Sequence, residues 1–362
     1  MSNNYCIIMA GGIGSRFWPM SRKDMPKQFL DILGTGRTLL QQAFDRFSKV
    51  IPAENFYVVT SVDYVDLVQK QLPELGRNQI LGEPLRRNTA PCIAYAANKI
   101  KTINPDANLV VAPSDHLILK EEEFLKQITR GLDFVSGNRA LLTLGIHPSR
   151  PETGYGYIQV GEKVEYNDFD NLHQVKTFTE KPNLQMAEIF VGSGEFFWNS
   201  GIFLWSLPTI LRAFEAHLNE VAVLFSQGEH LYNTPDEKAF INKIYSECMG
   251  ISIDYGIMEK SDNVYVLTAD FGWSDLGTWG SLYENQEKDD DGNVINGKNV
   301  LSYGNKNCIV NMPGDKIAVL QGLDGYIVVE SNNTLLVCRR EDEQQIRQFV
   351  NDVQLKNGPQ FV

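Results

Sequence analysis

Short, continuously apolar runs alternate with helical periodicity through the first two-thirds of this 362-residue chain, and nothing else in it constrains the fold as strongly. Tyr5–Ala10, Phe56–Thr60, Leu109–Ala112 and Leu141–Ile146 read as buried strands. Thr38–Phe47, Tyr64–Leu72, Pro91–Ile103 and Glu121–Val135 read as helices, the last with Phe124, Ile128, Leu132 and Val135 on one face. Strand, helix, strand in that order predicts an α/β fold, Rossmann-like, with a mostly parallel sheet covered by helices on both faces. Ligands of such sheets gather at the carboxyl ends of the strands.

From about residue 151 the alternation gives way to strand-like pieces at Tyr157–Val160, Val175–Glu180, Phe196–Trp205 and Val264–Ala269, with helices at Pro208–Leu218 and Asp236–Cys248. This predicts an extension of the same sheet. The polar stretch Glu284–Lys298 reads as a boundary, which divides the chain into 1–288 and a small β-rich domain, 289–362, that ends in an amphipathic helix from Glu341 to Val353.

Charge narrows the class of ligand. Thirty-three Lys and Arg against 45 Asp and Glu leave a net charge of -12, which argues against nucleic acid or an anionic membrane as partner. The first fifty residues carry the opposite sign, seven basic side chains against three acidic. The five cysteines are odd in number and widely spaced, without a CxxC pair, and fit free thiols in a reducing cytoplasm. The apolar run Tyr5–Ala10 is too short for a signal peptide, and no stretch reaches the ~18 apolar residues of a membrane helix.

The basic segment contains Ala10-Gly-Gly-Ile-Gly-Ser-Arg-Phe-Trp-Pro-Met-Ser-Arg-Lys-Asp-Met-Pro-Lys-Gln-Phe29. A strand delivers Gly11, Gly12 and Gly14, which bring no side chains between the backbone amides and a ligand, so free N–H groups can cradle phosphate oxygens. Arg16 and Lys27 add full positive charge, Arg22 is a further candidate, and Arg46 and Lys49 read as solvated surface charge. Walker A is absent, and the dinucleotide fingerprint would need a glycine where Phe17 stands. A plain glycine-rich turn is the competing reading.

With Trp18-Pro19 and Pro26-Lys27-Gln28-Phe29 in view, the segment resembles the signature of sugar-1-phosphate nucleotidyltransferases, and within them the mannose-1-phosphate guanylyltransferase branch. The resemblance covers roughly residues 4–285. It implies a nucleotide-binding loop that includes Gly11, Gly12, Gly14 and Ser15, a β-helix-like C-terminal domain, and GMP transfer from GTP to mannose 1-phosphate, giving GDP-mannose and pyrophosphate. Dimerisation through the C-terminal domain follows by analogy.

Leu81-Gly-Glu-Pro-Leu-Arg-Arg-Asn-Thr-Ala-Pro91 is similar to the family's guanine-binding loop. A Glu83 carboxylate would accept from both N1–H and the 2-amino group of guanine. Asn88 and Thr89 belong to the same loop, although either would also serve as a helix cap. Which atoms touch the base stays open, since backbone groups would serve equally.

Asp115, in Ala112-Pro-Ser-Asp-His116, and Asp275, in Gly272-Trp-Ser-Asp-Leu-Gly-Thr-Trp279, suit a shared Mg²⁺, a pairing the resemblance also implies. His116 reads as a polar neighbour, and Asp275 would equally cap a helix. Three segments read as a sugar pocket: Thr153-Gly-Tyr-Gly-Tyr157 with Tyr155 and Gly156, Glu180-Lys-Pro182, and Trp198-Asn-Ser-Gly-Ile202 with Asn199. The resemblance assigns Glu180 and Asn199 to sugar hydroxyls and Lys181 to the sugar phosphate. Asp254-Tyr-Gly-Ile-Met-Glu-Lys260 receives only a supporting role at the pocket floor.

Arg16, Lys27, Asp115 and Asp275 are thus the expected catalytic set. The sugar phosphate is itself the nucleophile, which agrees with the lack of a convincing nucleophilic triad. Fucose or heptose 1-phosphate would need only pocket changes. A non-catalytic nucleotide-sugar sensor would have shed the aspartates and lysines, and a nicotinamide oxidoreductase would carry the missing glycine. Many relatives continue into an isomerase domain; isomerase activity is not expected here.

Overall fold

The computed structural model describes residues 3–12, 14–167 and 169–362. Two compact units form, and they do not follow chain order. The first comprises Met1–Gly11, Ala43–Ser114 and Ile118–Trp273; the second comprises Gly12–Gln42, Asp115–Leu117 and Ser274–Val362.

The first unit is built on nine strands: β1 (Asn4–Ala10), β2 (Phe56–Ser61), β3 (Ile80–Glu83), β4 (Asn108–Pro113), β5 (Leu141–Ile146), β6 (Tyr157–Lys163), β7 (Leu172–Thr179), β8 (Phe196–Ser206) and β9 (Val264–Ala269). Their order in the sheet is β3-β2-β1-β4-β8-β5-β9-β7-β6. The expected α/β fold is borne out, with a division inside it. β3, β2, β1 and β4 run parallel, whereas β8 pairs antiparallel with both β4 and β5. The strand-like pieces after residue 151 therefore extend the sheet as expected, mainly by antiparallel pairing.

Alternate residues of β5 and β8 face opposite sides of the sheet. Leu141, Phe203 and Trp205 join a core shared with helices α1 (Thr89–Lys101), α3 (Leu207–His217) and α4 (Glu237–Glu247). On the other face α2 (Glu121–Gly137) approaches so closely that a Cβ on Gly131 would lie 3.0 Å from Leu142 and from Leu204. Phe124, Ile128, Leu132 and Val135 of α2 are buried, as their spacing predicts. No helix among the described residues is long and apolar enough to cross a membrane.

The second unit carries six short strands: β10 (Val294–Asn296), β11 (Val300–Tyr303), β12 (Ile309–Asn311), β13 (Ala318–Gln321), β14 (Tyr326–Ser331) and β15 (Thr334–Arg339). β10, β12 and β14 stack in parallel with Val294, Ile309 and Ile327 in register, and β11 stacks on β13 in a second parallel ladder. The coil is β-helical, as the resemblance implied, and only β15 pairs antiparallel with its neighbour β14.

β10 lies inside the stretch that reads as a polar boundary. Its polar residues are turn-formers: buried Asn293 donates to the Asn305 carbonyl at 2.9 Å and accepts from the Cys308 amide at 3.0 Å, while Asp289 Oδ1 accepts from the Asn293 amide at 2.7 Å. The final helix, α5 (Ile346–Asn357), starts after a 3₁₀ turn at Arg340–Gln345 and not at Glu341. Phe17 and Trp18 of the glycine-rich segment pack in one core with Ile32, Leu39, Trp279, Ile309, Ile327 and Ile346.

Candidate active site

Within the second unit, the segment that begins at Gly12 folds around a buried lysine. Gly14 adopts a left-handed backbone, φ 67°, and a Cβ there would collide with the Cβ of Lys27. Lys27 is 3% exposed. Its ammonium donates to Asp115 Oδ2 at 2.8 Å and to the Asp275 main-chain carbonyl at 2.7 Å, and lies 5.5 Å from the Phe17 ring centroid. One cation thus joins the two aspartates that the sequence places 160 residues apart. Burial pushes the Asp115 carboxyl up, but the charges of Lys27 and His116 and the Lys27 hydrogen bond outweigh it, and the net shift is downward. Asp275 is not the helix cap: Thr278 accepts from the Ser281 amide in that role, while Asp275 Oδ1 accepts from the Gly277 amide at 2.9 Å.

The other members of the segment divide by role. Gly12 has open space where a Cβ would sit, and its carbonyl accepts from Gln28 Nε2 at 2.9 Å. Ser15 and Arg16 lie in a 3₁₀ turn, Ser15–Phe17, and Arg16 Nε is buried with no hydrogen-bond partner. Arg22 is not free for a ligand. Its guanidinium is spent on the carbonyls of Pro19, Ser331, Asn332 and Gln360 and on Thr334 Oγ1, so it ties the segment to the β-helix and the last residues of the chain. In the first unit, Arg46 is 6% exposed and faces Glu121, which corrects its reading as surface charge; Lys49 is the exposed partner of the same carboxylate.

The first unit carries the expected nucleobase and sugar groups. Glu83, at the end of β3, is 8% exposed, and Tyr245 Oη donates to its Oε1 at 2.9 Å. A Cβ on Gly11 would sit 3.7 Å from Glu83 Oε2, an ordinary van der Waals contact that places this backbone beside the carboxylate. Burial pushes the Glu83 carboxyl up to about 7, against the Tyr245 hydrogen bond and the charge of Arg86. Asn88, φ 69°, caps α1 by accepting from the Thr89 amide at 2.9 Å. Thr89 Oγ1 accepts from the Ile253 amide at 2.8 Å. Both are thus engaged in shaping the loop, and neither side chain's cap role excludes its exposed atoms from a ligand.

The residues expected to form a sugar pocket lie close to one another. Tyr155 meets Trp198 and Trp273 edge to face at 5.1 and 5.2 Å. Gly156 accepts from the Asn199 amide at 2.8 Å, and a Cβ on it would lie 2.8 Å from Glu180 Oε1. The Glu180 side chain is 7% exposed and pairs at 2.8 Å with Lys181, whose own side chain is 62% exposed and whose backbone is left-handed, φ 44°. Burial opposes the Lys181 charge, but the bond to Glu180 and nearby carboxylates raise its pKa overall. Asn199 is held on both ends: Oδ1 accepts from Thr143 Oγ1 at 3.0 Å, and Nδ2 donates to Asp254 Oδ1 at 2.9 Å.

Asp254, expected only in a supporting role, is thus bonded directly to Asn199. It opens a π-helical turn, Asp254–Met258, of the kind that recurs at functional sites. Burial and the neighbouring Glu180 charge push its carboxyl up to about 7, against hydrogen bonds from the backbone and Asn199 and the charge of Lys181. Ile253, one residue before it, is the donor to Thr89, so one segment bonds both Thr89 and Asn199. Tyr245 was not legible as a site residue, because a buried aromatic on α4 has the periodicity of any core residue. Among the described residues, no group of three or more His, Cys, Asp and Glu side chains gathers as a metal cluster.

Comparison with known proteins supplies the family. The model of the nucleotidyl transferase family matches residues 5–292, and that of the MannoseP isomerase/GMP-like beta-helix domain matches residues 298–353. A mannose-1-phosphate guanylyltransferase of Escherichia coli is 33% identical over 96% of this chain and 75% of its own length. Its counterpart in Klebsiella pneumoniae is 36% identical over 95% and 72%. A crystal structure from Thermus thermophilus, described as a mannose-1-phosphate geranyltransferase, superposes with a TM-score of 0.87 at 28% identity, covering 97% of this chain and 99% of the other. The chain is a nucleotidyltransferase and belongs to the mannose-1-phosphate guanylyltransferase family.

Proposed function

We propose that this chain transfers GMP from GTP to α-D-mannose 1-phosphate, releasing pyrophosphate and leaving GDP-mannose. The observation that carries this reading is the Lys27 ammonium, bonded at once to Asp115 and to the Asp275 backbone. A buried ammonium held by one carboxylate and one backbone carbonyl is a fixed cation suited to a phosphate oxygen. The attacking group is the sugar phosphate, already ionised at neutral pH, so no side chain need be activated as a nucleophile. The chain's task is to align that oxygen with the α-phosphorus and to offset the repulsion between two anions. Arg16 and Lys27 would act on the triphosphate and Lys181 on the sugar phosphate, with Gly11, Gly12, Gly14 and Ser15 offering backbone amides.

The donor set supports Mg²⁺: Asp115 and Asp275 offer hard carboxylate oxygens, and triphosphate oxygens with water would complete six ligands. Bound there, the cation would neutralise charge on the phosphates. Glu83 would read guanine, with Asn88 and Thr89 shaping its loop. Glu180, Asn199, Tyr155 and Gly156 would hold the sugar. The five free thiols fit a reducing cytoplasm. Leu301, Tyr303, Ile317 and Val319 are exposed apolar residues on and beside β11 and β13, which supports self-association through the C-terminal unit.

Incubation with GTP and a panel of mannose, fucose and heptose 1-phosphates, with products identified by mass, tests the sugar. GDP-mannose should dominate. Steady-state rates of Lys27→Ala and Asp275→Ala test the site, and near-normal turnover in both would sink the assignment.

A further inference from the structure

Within the second unit the last helix, α5, packs on the Ser15–Phe17 turn, and that contact brings two arginines together. Phe17 and Ile346 share one core, which fixes the residues next to them, Arg16 and Arg347, on adjoining backbone. Arg347, Val350 and Gln354 recur at spacings of three and four along α5, so they share one helix face. Val350 and Gln354 line a cavity of about 190 Å³ with Ser15 and Trp18, which turns that face toward the segment carrying Arg16. The Arg16 charge is the largest influence on Arg347 and lowers its pKa, with partial burial acting in the same direction.

Two guanidiniums that repel one another call for a counter-charge. Among the described residues neither Arg16 nor Arg347 has a carboxylate partner, and Arg16 Nε is buried without a hydrogen-bond partner. Arg22, six residues along the same segment, is the contrast, since its donors are spent on the carbonyls of Pro19 and Ser331 and on Thr334 Oγ1. Glu343, one turn before Arg347, accepts from the Gly280 amide at 2.7 Å instead of neutralising it. The first turn of α5 holds no acidic residue, and a cation there opposes the helix dipole. Like-charge repulsion, unspent donors and an unfavourable helix position are all relieved by one anion.

We propose that Arg347 joins Arg16 in binding pyrophosphate, both as the β- and γ-phosphates of GTP and as the released product. The identity of that anion rests on the GTP-dependent function proposed above. In the transfer an oxygen of the sugar phosphate bonds to the α-phosphorus, the bond from that phosphorus to the α,β-bridging oxygen breaks, and its electron pair leaves on pyrophosphate. Negative charge therefore grows on the leaving group, where two planar guanidiniums each present paired donors. Arg347 lies outside residues 4–285, the stretch over which the sequence resemblance runs, and reaches the phosphate segment only because α5 folds back onto it.

The test uses the full chain, Arg347→Gln and Arg347→Lys, with pyrophosphate as probe. In titration calorimetry pyrophosphate should bind Arg347→Gln about tenfold more weakly than wild type, and Arg347→Lys should recover part of the loss. GMP, which lacks both phosphates, should bind all three alike. In steady state the KM for GTP should rise by a similar factor in Arg347→Gln while the KM for mannose 1-phosphate is unchanged. Melting separates binding from support of the fold: without ligand Arg347→Gln should melt at or above wild type, because the repulsion is gone, and its upward shift with pyrophosphate should shrink. No pyrophosphate binding by wild type, equal affinity in wild type and Arg347→Gln, or a ligand-free melting temperature that falls together with GMP binding would overturn the proposal. Weakened pyrophosphate binding beside an unchanged KM for GTP would set the anion site apart from the reaction and overturn the leaving-group role. A wild type that binds pyrophosphate yet makes no GDP-mannose from GTP would sink the proposed function, and the calorimetry would still decide the arginine pair.

Discussion

Glu83 and Asp254 in the first unit, and Asp115 in the second, are carboxyls partly or wholly removed from bulk water, yet they are driven in opposite directions. Glu83 and Asp254 are pushed up to about 7, while Asp115 is held below its ordinary value. Burial acts upward on all three. The difference is the partner at hydrogen-bond distance: a neutral phenol for Glu83, a neutral amide for Asp254, and the Lys27 ammonium for Asp115. Depth alone therefore says little about the charge a carboxyl carries. Held below its ordinary value, Asp115 is an anion at neutral pH, whereas the two first-unit carboxyls, at about 7, exchange protons near neutrality.

The largest effect expected from this contrast is in Lys27→Ala. Loss of the ammonium removes a cation from the phosphate site and lets burial raise Asp115. Both changes act against turnover, and kcat/KM should fall by about 10³-fold or more, ~4 kcal/mol, in steady-state assays. Glu83→Gln comes next. If Glu83 reads guanine as proposed, this exchanges one acceptor for a donor facing the base's own donors, so kcat/KM for GTP should fall by about 10–100-fold, ~1–3 kcal/mol, with the KM for mannose 1-phosphate unchanged. Equal losses on both substrates would argue that the change is general distortion.

The pH dependence sharpens the same point. On the proposed reading, guanine would bind the carboxylate form of Glu83, so the KM for GTP should rise as pH falls through 7, by up to about tenfold per pH unit, and the slope should flatten in Glu83→Gln. A profile identical in both proteins would assign the pH dependence elsewhere. Gly156→Ala should raise the KM for the sugar phosphate several-fold, since its Cβ would lie 2.8 Å from Glu180 Oε1 and displace that carboxylate. Thermal melting at two pH values would separate this from loss of fold.

The smallest effect is on stability. With its folded pKa raised above the unfolded value, Asp254 retains its proton in the native state between about pH 4 and 7 while the unfolded chain has lost it. Its contribution is thus full at low pH and lost as pH rises through 7. Asp254→Asn keeps an acceptor for Asn199 and cannot ionise, so it should recover up to about 2 kcal/mol at pH 8 and almost none at pH 4, read from denaturant midpoints. An equal change at both values would contradict the shift.

Much of this was legible in the sequence because it was local. Gly14, Lys27 and the aspartates sit in ordered motifs, and Tyr155, Gly156, Glu180 and Asn199 come from three segments that lie close together. What escaped depends on contacts across long stretches of chain. Arg22 looked like a phosphate ligand from its neighbours, but its partners lie at Pro19, Ser331, Thr334 and Gln360. Arg46 looked like surface charge because α-helical periodicity does not reveal what packs over a turn. Tyr245 and Thr143 were silent because their hydroxyls matter only through Glu83 and Asn199.

The most direct test is a carboxyl-carbon NMR titration of Glu83 and Asp115 in one labelled sample, in wild type and in Lys27→Ala. Glu83 should titrate near 7 in both proteins, and Asp115 should titrate below the usual aspartate range in wild type and move up in the variant. Coincident titration of the two groups in wild type, or an Asp115 that ignores the loss of Lys27, would contradict the division of the three carboxyls into two regimes.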